Sequence, residues 1–497
     1  MKNTIRTRTS AYLSRAVMII FIVVLSGCVS NPDVPTPSVS LSSSFHHGGK
    51  TKASDTSVDI QWWQTFGCQP LVSLVERTAV ANYDIRIAVE RAKQARAGTA
   101  VAESQLFPSV NVMASQSDSR TGLPSTIKQS MPDTQATRAG LDVAWEVDLF
   151  GGARAAASAA EKEAEAAIFG VHGAQLIAVS EVARQYFVWQ GARQRLAILE
   201  NLLQTQRDTE RLTRSRYREG MASAFDVARA AGEAATVEAA LPPLQMLMFV
   251  TESRIAVLTG ADASMPVPEL HVSEDQLHWH APTAPIVGLP ADLLTRRPDL
   301  LAAEQRLSAA AYRLAEAKAN RFPKIFVSAL FGSQALTIND ALSLSTSRYS
   351  NVAAAFTLPI FNSGRIHAGI DAQSARERES LLSYEQSILG AIEDVESSLS
   401  ALAAERQRAD SLSVAVVERT RSVAHATSLF REGQIDLLQV LDVQRARLAT
   451  ELTLAEINSQ CAIDFIQLYK ALGGGWQALP APTNAAVATN LSSGIEQ

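Results

Sequence analysis

Four segments of the chain alternate apolar and polar residues with the period of a β-strand. In "LDVAWEVDLF" Leu141, Val143, Trp145, Val147 and Leu149 alternate with Asp142, Ala144, Glu146 and Asp148, which gives one greasy and one acidic face. "VAAAFTLPIF" sets Val352, Ala354, Phe356, Leu358 and Ile360 against smaller or more polar neighbours, and "PSVNVMAS" and "PKIFVSALFG" supply two more strands. The pattern predicts strands over about 108–119, 139–150, 323–333 and 350–361.

Elsewhere the pattern is helical. Stretches rich in Ala, Glu and Arg predict helices over 82–106 and 298–321. Each is stopped by a Phe-Pro pair, Phe107-Pro108 or Phe322-Pro323, because proline lacks the amide donor and disfavours helical geometry just before it. From Arg154 to about Glu219, and from Arg365 to about Glu432, no proline intervenes. At about 1.5 Å per residue each run would extend about 100 Å, far beyond the needs of a compact domain. Gly220 and Gly433 supply the helix stops, and Ser223 and Asp436 stand where N-caps belong, the latter with Gln439 in a capping box. A return helix follows each turn, to about Leu258 and about Leu472, the first with an expected kink at Pro242-Pro243.

These elements occur twice in the same order. "YDIRIAVERAKQARAGTAVAESQLFPSV" from Tyr83 matches "PDLLAAEQRLSAAAYRLAEAKANRFPKI" from Pro298, aligning Asp84 with Asp299 and Arg91 with Arg306. "DLFGGAR" ending at Arg154 matches "PIFNSGR" ending at Arg365, and "YREG" at 217 matches "FREG" at 430. An internal repeat of this length predicts two copies of one structural unit, over 59–260 and 298–474, joined by a connector at 261–297 and followed by a tail at 475–497.

The N-terminus changes the picture from fold to place. Lys2, Arg6, Arg8 and Arg15 precede the apolar run "AVMIIFIVVL", too short to span a bilayer as a helix and typical of a secretory signal. It ends in "LSGC", which resembles a lipobox, so residues 1–27 read as a lipoprotein signal peptide and Cys28 as the lipidated N-terminus; the plainer reading is an ordinary signal with a chance cysteine. Val29 in place of Asp after the cysteine directs such an anchor to the outer membrane. Residues 28–58, rich in Pro, Ser and Gly, read as a flexible tether. With 47% hydrophobic residues and a net charge of −5, the chain has neither a disordered composition nor the basic surplus of a nucleic-acid binder. The acidic strand face suggests at most a mild preference for cations. Cys68 and Cys461, the cysteines left, make no disulfide framework and no zinc spacing.

No segment after the signal peptide reads as a transmembrane helix, yet four strands carry the alternation of a membrane barrel wall. A soluble antiparallel sheet gives the same pattern. If the sheet lies in lipid, four strands cannot close a barrel, and open edges would leave backbone donors unsatisfied, so several chains must share one barrel. The "HWH" at 278–280 lacks further ligands at metal spacing, and "GGG" at 473–475 ends a helix instead of opening one, so neither carries chemistry. No metal, no cofactor and no enzymatic constellation is expected.

"GLPADLLTRRPDLLAAEQRL" from Gly288, "FREGQIDLLQVLDVQRA" from Phe430, "LYKALGGGW" ending at Trp476 and the lipobox together resemble the outer-membrane efflux proteins of the TolC type, in the OprM/NodT lipoprotein branch. The resemblance implies a mixed α and β membrane protein: a homotrimer with a twelve-stranded transmembrane β-barrel, four strands per chain, continuous with a periplasmic α-helical barrel. It implies an equatorial domain from residues 55–80, 260–297 and beyond 473. It further implies the exit duct of a tripartite pump, working with a periplasmic adaptor and an inner-membrane transporter of the RND class to export small toxic molecules, in contact with outer-membrane lipid. The duct of a type I protein secretion system is the alternative, and a purely structural envelope lipoprotein a third.

Leu438, Asp442 and Arg445 stand at i, i+4 and i+7 and share one narrow helix face. On an arbitrary helix this is a solvated Asp-Arg pair. The family's periplasmic constriction has Leu, Asp and Arg in this pattern, so the resemblance makes these three the gate. It gives the turns Arg218-Glu219-Gly220 and Arg431-Glu432-Gly433 to the adaptor contact. Phe225, Asp226 and Arg229 in the first hairpin do not repeat the arrangement and are expected to support the gate.

Overall fold

Each Phe-Pro pair ends its helix four residues ahead of the proline. The opening helices stop at Ser104 and Ala319, and a tighter turn carries the chain on, with Phe107 N–H to Ser104 O at 3.2 Å and Phe322 N–H to Ala319 O at 3.0 Å. The structure is a computed structural model, which describes residues 32–46, 61–120, 122, 134–273, 277, 279, 289–336, 341 and 348–480. The expected signal peptide, Cys28, His278 and His280 lie outside these residues. In chain order the elements are α1 (Gln69–Ala81), α2 (Tyr83–Ser104), β1 (Ser109–Ser119), β2 (Thr134–Val147), α3 (Gly152–Arg218), α4 (Ala224–Ala239) and α5 (Leu241–Leu258). There follow the single turn α6 (Leu293–Arg296), then α7 (Pro298–Ala319), β3 (Lys324–Ala335), β4 (Arg348–Thr357), α8 (Arg365–Arg431) and α9 (Leu437–Ala471). The two long helices, α3 and α8, have 67 residues each.

The chain packs as two compact units, and these cut across the sequence repeat: Met1–Pro37, Lys93–Ala167 and Ala303–Tyr384 form one, and Ser38–Ala92, Ile168–Ala302 and Glu385–Gln497 the other. Each unit therefore draws on both copies, as expected if equivalent elements of the two copies pack side by side.

The first unit holds the sheet, antiparallel and in the order β1-β2-β3-β4. Residues directly opposed across antiparallel strands share a face. Val112 faces Leu141, which faces Phe331; Val110 faces Val143; Trp145 faces Val327; and Val147, Ile325 and Phe356 form one row. The register thus gathers the apolar positions on one side, where Val112 is 84% and Val352 69% exposed. A greasy face of this size left open is what lipid or another chain covers. Gly140 lies opposite Gly332, and a Cβ on either would strike the facing backbone, so the central strands approach closely only because both are glycine. Gly332→Val is expected to block sheet formation, read as loss of the β-sheet band in the amide I infrared spectrum; an unchanged band would remove this constraint.

The observed strands differ from the expected ones at both ends. β2 starts at Thr134 and stops at Val147, because Asp148 leaves the ladder to cap α3. Its carboxylate accepts from Ala153 N–H at 3.2 Å, Arg154 N–H at 2.9 Å and Arg154 Nε at 3.1 Å. Glu146 pairs with Lys324 at 2.9 Å. Two of the three carboxylates assigned to an acidic face are thus offset locally, which removes most of the ground for a cation preference in the strands. β4 likewise stops at Thr357, two residues before Pro359, which has no donor for the ladder.

In the second unit an aromatic cluster forms the core. Phe66 lies 4.6 Å from Phe187 and 5.3 Å from Phe465 between ring centres, and Trp62, Phe66, Tyr186 and Phe187 are fully buried. Cys68 and Cys461 are free and buried. Burial pushes the Cys461 thiol up to about 11, where it stays protonated. The three stretches expected to form an equatorial region meet pairwise here. Arg77 pairs with Glu269 at 2.8 Å, Trp476 Nε1 donates to Arg296 O at 3.0 Å, and Gly475 packs against Trp62 so closely that a Cβ would come within 2.8 Å of its indole nitrogen.

Three further expectations are corrected. The first return helix is interrupted as expected, but the break falls at Ala240, two residues ahead of the prolines, and Pro242 and Pro243 sit in the first turn of α5, where their missing donors are not needed. Residues 32–46 are not a loose tether along their whole length. Ser38 N–H and Oγ donate to Glu385 at 2.7 and 2.8 Å, His46 N–H donates to Glu396 at 2.6 Å, and Phe45 is buried. Finally, α3 and the run 224–258 each contain a window long and apolar enough to cross a membrane, with mean hydropathy 1.4 and 1.2. Half of the α3 window is buried within the protein, as in the core helix of a globular domain.

Candidate functional site

The two hairpin turns are built alike. At the end of α3, Gly220 takes φ +78°, its N–H bonds Tyr217 O at 3.0 Å, and Met221 N–H bonds Arg216 O at 2.8 Å. At the end of α8, Gly433 takes φ +75°, its N–H bonds Phe430 O at 3.1 Å, and Gln434 N–H bonds Leu429 O at 2.9 Å. Both are Schellman caps, in which glycine supplies the left-handed residue that a side chain would strain. Arg218, Glu219, Gly220, Arg431, Glu432 and Gly433 are all exposed. The guanidinium of Arg216 lies over the Phe430 ring at 4.8 Å, which joins the ends of the two long helices.

The return helices start differently. Ser223 and Asp226 form the full capping box: Asp226 N–H donates to Ser223 Oγ at 3.1 Å, and Asp226 Oδ2 accepts from Ser223 N–H at 3.0 Å and from its hydroxyl at 2.7 Å. At Asp436 the cap is the bond from Gln439 N–H at 3.1 Å, so the reciprocal box lies in the other hairpin from the one expected. The Ser223 backbone N–H, followed by its hydroxyl, holds the Asp226 carboxyl below the usual range. A depressed carboxylate stabilises above its unfolded pKa, near 4, and that contribution is lost as pH falls through the lower folded value. Ser223→Ala is therefore expected to cost about 1 kcal/mol of local stability at neutral pH. Hydrogen exchange at 224–227 would read it as faster opening, and unchanged exchange would show that the cap contributes nothing.

Along α9, Leu437, Val440, Leu441 and Gln444 are buried, while Leu438, Asp442 and Arg445 are exposed on the opposite face. The structure thus brings the three residues together on one open stripe. Arg445 also reaches the first hairpin. Its Nε donates to Glu233 Oε2 on α4 at 3.0 Å and its Nη2 to Glu233 Oε1, a two-pronged clasp, whereas Asp442 Oδ1 is 3.5 Å away. The Glu233 carboxylate raises the Arg445 guanidinium further above its already high value. Just behind the stripe, Gln206 Nε2 on α3 donates to the buried Gln444 Oε1 at 3.1 Å. The two hairpins are therefore joined at three places near their turns. In the first hairpin Phe225 is 69% exposed and Arg229 half-buried, and Asp226 is engaged by the cap.

Residues 74–261 and 289–474 both match the family model described as outer membrane efflux protein. The chain belongs to the outer membrane efflux protein family. It is similar to the pyoverdine export outer membrane protein OpmQ of Pseudomonas aeruginosa, at 32% identity over 91% of this chain and 95% of that protein. It is also similar to the toluene efflux pump outer membrane protein TtgC of Pseudomonas putida, at 29% identity over 95% of this chain and 97% of TtgC. Its fold matches the solved outer-membrane channel OprN with a TM-score of 0.83 at 28% identity, over 90% of this chain and all of that one. The sheet and the long helices are accordingly those of an outer-membrane efflux channel, and the family is one of transport proteins, not enzymes.

In this efflux protein Glu233 is the residue that the sequence reading missed. It stands in the alanine-rich stretch "AAGEAATVEA", where nothing marks it. Alignment on the turn glycines would have found its neighbourhood, because Arg445 then corresponds to Gly232, the residue before it. Among the described residues no group of three or more His, Cys, Asp or Glu side chains is arranged for a metal ion.

Proposed function

We propose that three copies of this chain close a twelve-stranded barrel, four strands each, above a continuous helical barrel, and that the chain arose from two copies of one unit. The open sheet supports this reading most directly. β1 and β4 are both edges, and an edge in lipid leaves a row of backbone groups unsatisfied unless another strand pairs with it. Cys28 carries the lipid anchor. The duct serves a tripartite pump, in which a periplasmic adaptor and an inner-membrane transporter of the RND class deliver small toxic molecules to it. The exposed turns at 218–220 and 431–433 meet the adaptor.

The tips of the hairpins form the gate. Three-fold symmetry would turn Leu438, Asp442 and Arg445 into rings. Leu438 narrows the opening, Asp442 attracts cations, and Arg445 holds the hairpins together through Glu233 until the adaptor engages. Phe225, Asp226 and Arg229 support the first hairpin behind it. A strain lacking the gene, tested against a panel of toxic compounds, is expected to regain resistance with the wild-type chain and to lose it again with Cys28 intact but residues 218–220 and 431–433 replaced by Ala. Full resistance with the replaced turns would remove the adaptor contact from those residues.

A further inference from the structure

Within one copy α3 packs against α9 in an antiparallel register. A Cβ on Gly191 would come within 2.7 Å of Ser459 Oγ, and that hydroxyl donates to the Phe187 carbonyl. Fifteen residues further along α3, Gln206 meets Gln444, which lies fifteen residues earlier in α9. The same register sets Val188 level with Ala462 and Phe187 level with Ile463. Phe187, Gly191, Ser459 and Ala462 are all buried by this contact and its surroundings.

The internal repeat supplies a second long helix and a second return helix, α8 and α5. Gly220 and Gly433 end the long helices, and Gly260 and Gly473 end the return helices with φ +73° and +69°, the members of each pair standing 213 positions apart. Counted from these glycines, Gly191, Val188 and Phe187 correspond to Ala404, Ala401 and Ser400 on α8. Ser459, Ala462 and Ile463 correspond to Met246, Phe249 and Val250 on α5. All six counterparts are exposed, Met246 at 68% and Phe249 at 66%. The two surfaces that cover one another in the first combination are thus both uncovered in the second.

Their sizes are also reversed. On α3 and α9 the long helix brings Val188 and Phe187, and the return helix brings the small Ser459 and Ala462. On α8 and α5 the long helix offers Ala404, Ala401 and Ser400, and the large side chains stand on the return helix. We propose that α5 of one copy packs against α8 of the next, with Met246 on Ala404, Phe249 on Ala401 and Val250 on Ser400, and that this size code decides which helices pair. If α3 took α5 in place of α9, Val188 would meet Phe249 and Phe187 would meet Val250, which overfills the seam. If α8 took α9, Ala401 would meet Ala462 and leave a void. Each half therefore accepts only the other half, and a head-to-tail contact of this kind can close a ring. β4 leads into α8, and β1 belongs to the half that carries α5, so the neighbour is the copy whose β1 would meet β4 in the barrel. This contact rests on the copies forming a ring.

Native mass spectrometry of the wild-type chain in detergent tests that ring first, and a monomer would sink it together with the contact. In a trimeric wild type, Met246→Cys with Ala404→Cys should give covalent trimer on mild oxidation. Met246→Cys with Glu393→Cys, about 16 Å away along α8, should not. Phe249→Ala and Ala401→Phe should each move dissociation of the trimer to about tenfold higher protein concentration, and the two together should return it close to wild type. Absence of the 246–404 cross-link in an intact trimer, or single variants that dissociate as the wild type does, would overturn the contact. Losses that add in the double variant would overturn the size code.

Discussion

Replacing Arg445 by Ala should raise single-channel conductance in planar bilayers several-fold, and replacing Glu233 by Ala should do the same. A half-exposed ion pair of this kind contributes about 1 kcal/mol. Three symmetric copies would contribute about 3 kcal/mol, enough to move the closed-to-open equilibrium about a hundredfold. Because the clasp joins α9 to α4, each single change breaks the same contact, and the double replacement should add little to either. Exchanging the partners, Glu233→Arg with Arg445→Glu, should bring conductance back toward wild type. Asp442→Ser should have a smaller effect on opening, since its carboxylate makes only the 3.5 Å contact with Arg445, and a larger one on cation binding. Independent, additive effects of the two clasp variants would separate Arg445 from Glu233 and dissolve the clasp.

Arg297→Ala should strongly destabilise the junction of α7, α8 and α9. The side chain is only 12% exposed and fastens three segments. It binds Asp299 at the start of α7 at 2.8 and 3.1 Å, Asp394 on α8 at 3.1 Å, and the Ala471 carbonyl at the end of α9 at 2.9 Å. Gly473 presses against it so closely that a Cβ would lie 2.9 Å from the Arg297 Cα. Removing the guanidinium leaves two carboxylates facing one another and a carbonyl without its donor, a loss of about 3 kcal/mol. Lys should not restore it, because a single ammonium cannot supply the planar fork that serves all three. The urea midpoint and the thermal unfolding temperature should both fall. An unchanged midpoint would show that packing around Trp476 and Gly473 holds this junction without the arginine.

Much of this architecture was legible because it depends on local pattern. Period-two alternation located the strands, the absence of proline located α3 and α8, and Gly220 and Gly433 located the turns. What escaped depends on partners distant in sequence. Asp148 reads as one more polar position in an alternating strand, and only the left-handed turn at Gly151 brings it back onto the start of α3. Ser38 is held through its N–H and hydroxyl and His46 through its N–H, contacts with distant glutamates that have no local sequence signature, so their segment read as linker. Glu233 is one acidic residue on a polar face, and its importance comes wholly from Arg445, more than two hundred residues later. For the stripe of Leu438, Asp442 and Arg445, helical spacing alone sufficed to place the three on one face.

The central claim is that the four-stranded sheet is a third of a membrane barrel, closed by β4 of one copy pairing with β1 of the next. Ser109 and Thr357 lie at the same end and on the same face of the sheet, at its two edges. Cysteines introduced together at these positions, Ser109→Cys with Thr357→Cys and, one pleat along, with Ala355→Cys, would meet only across that junction. Mild oxidation in outer membranes should then give covalent dimers and trimers on non-reducing gels. Monomer alone in both pairings would contradict the shared barrel.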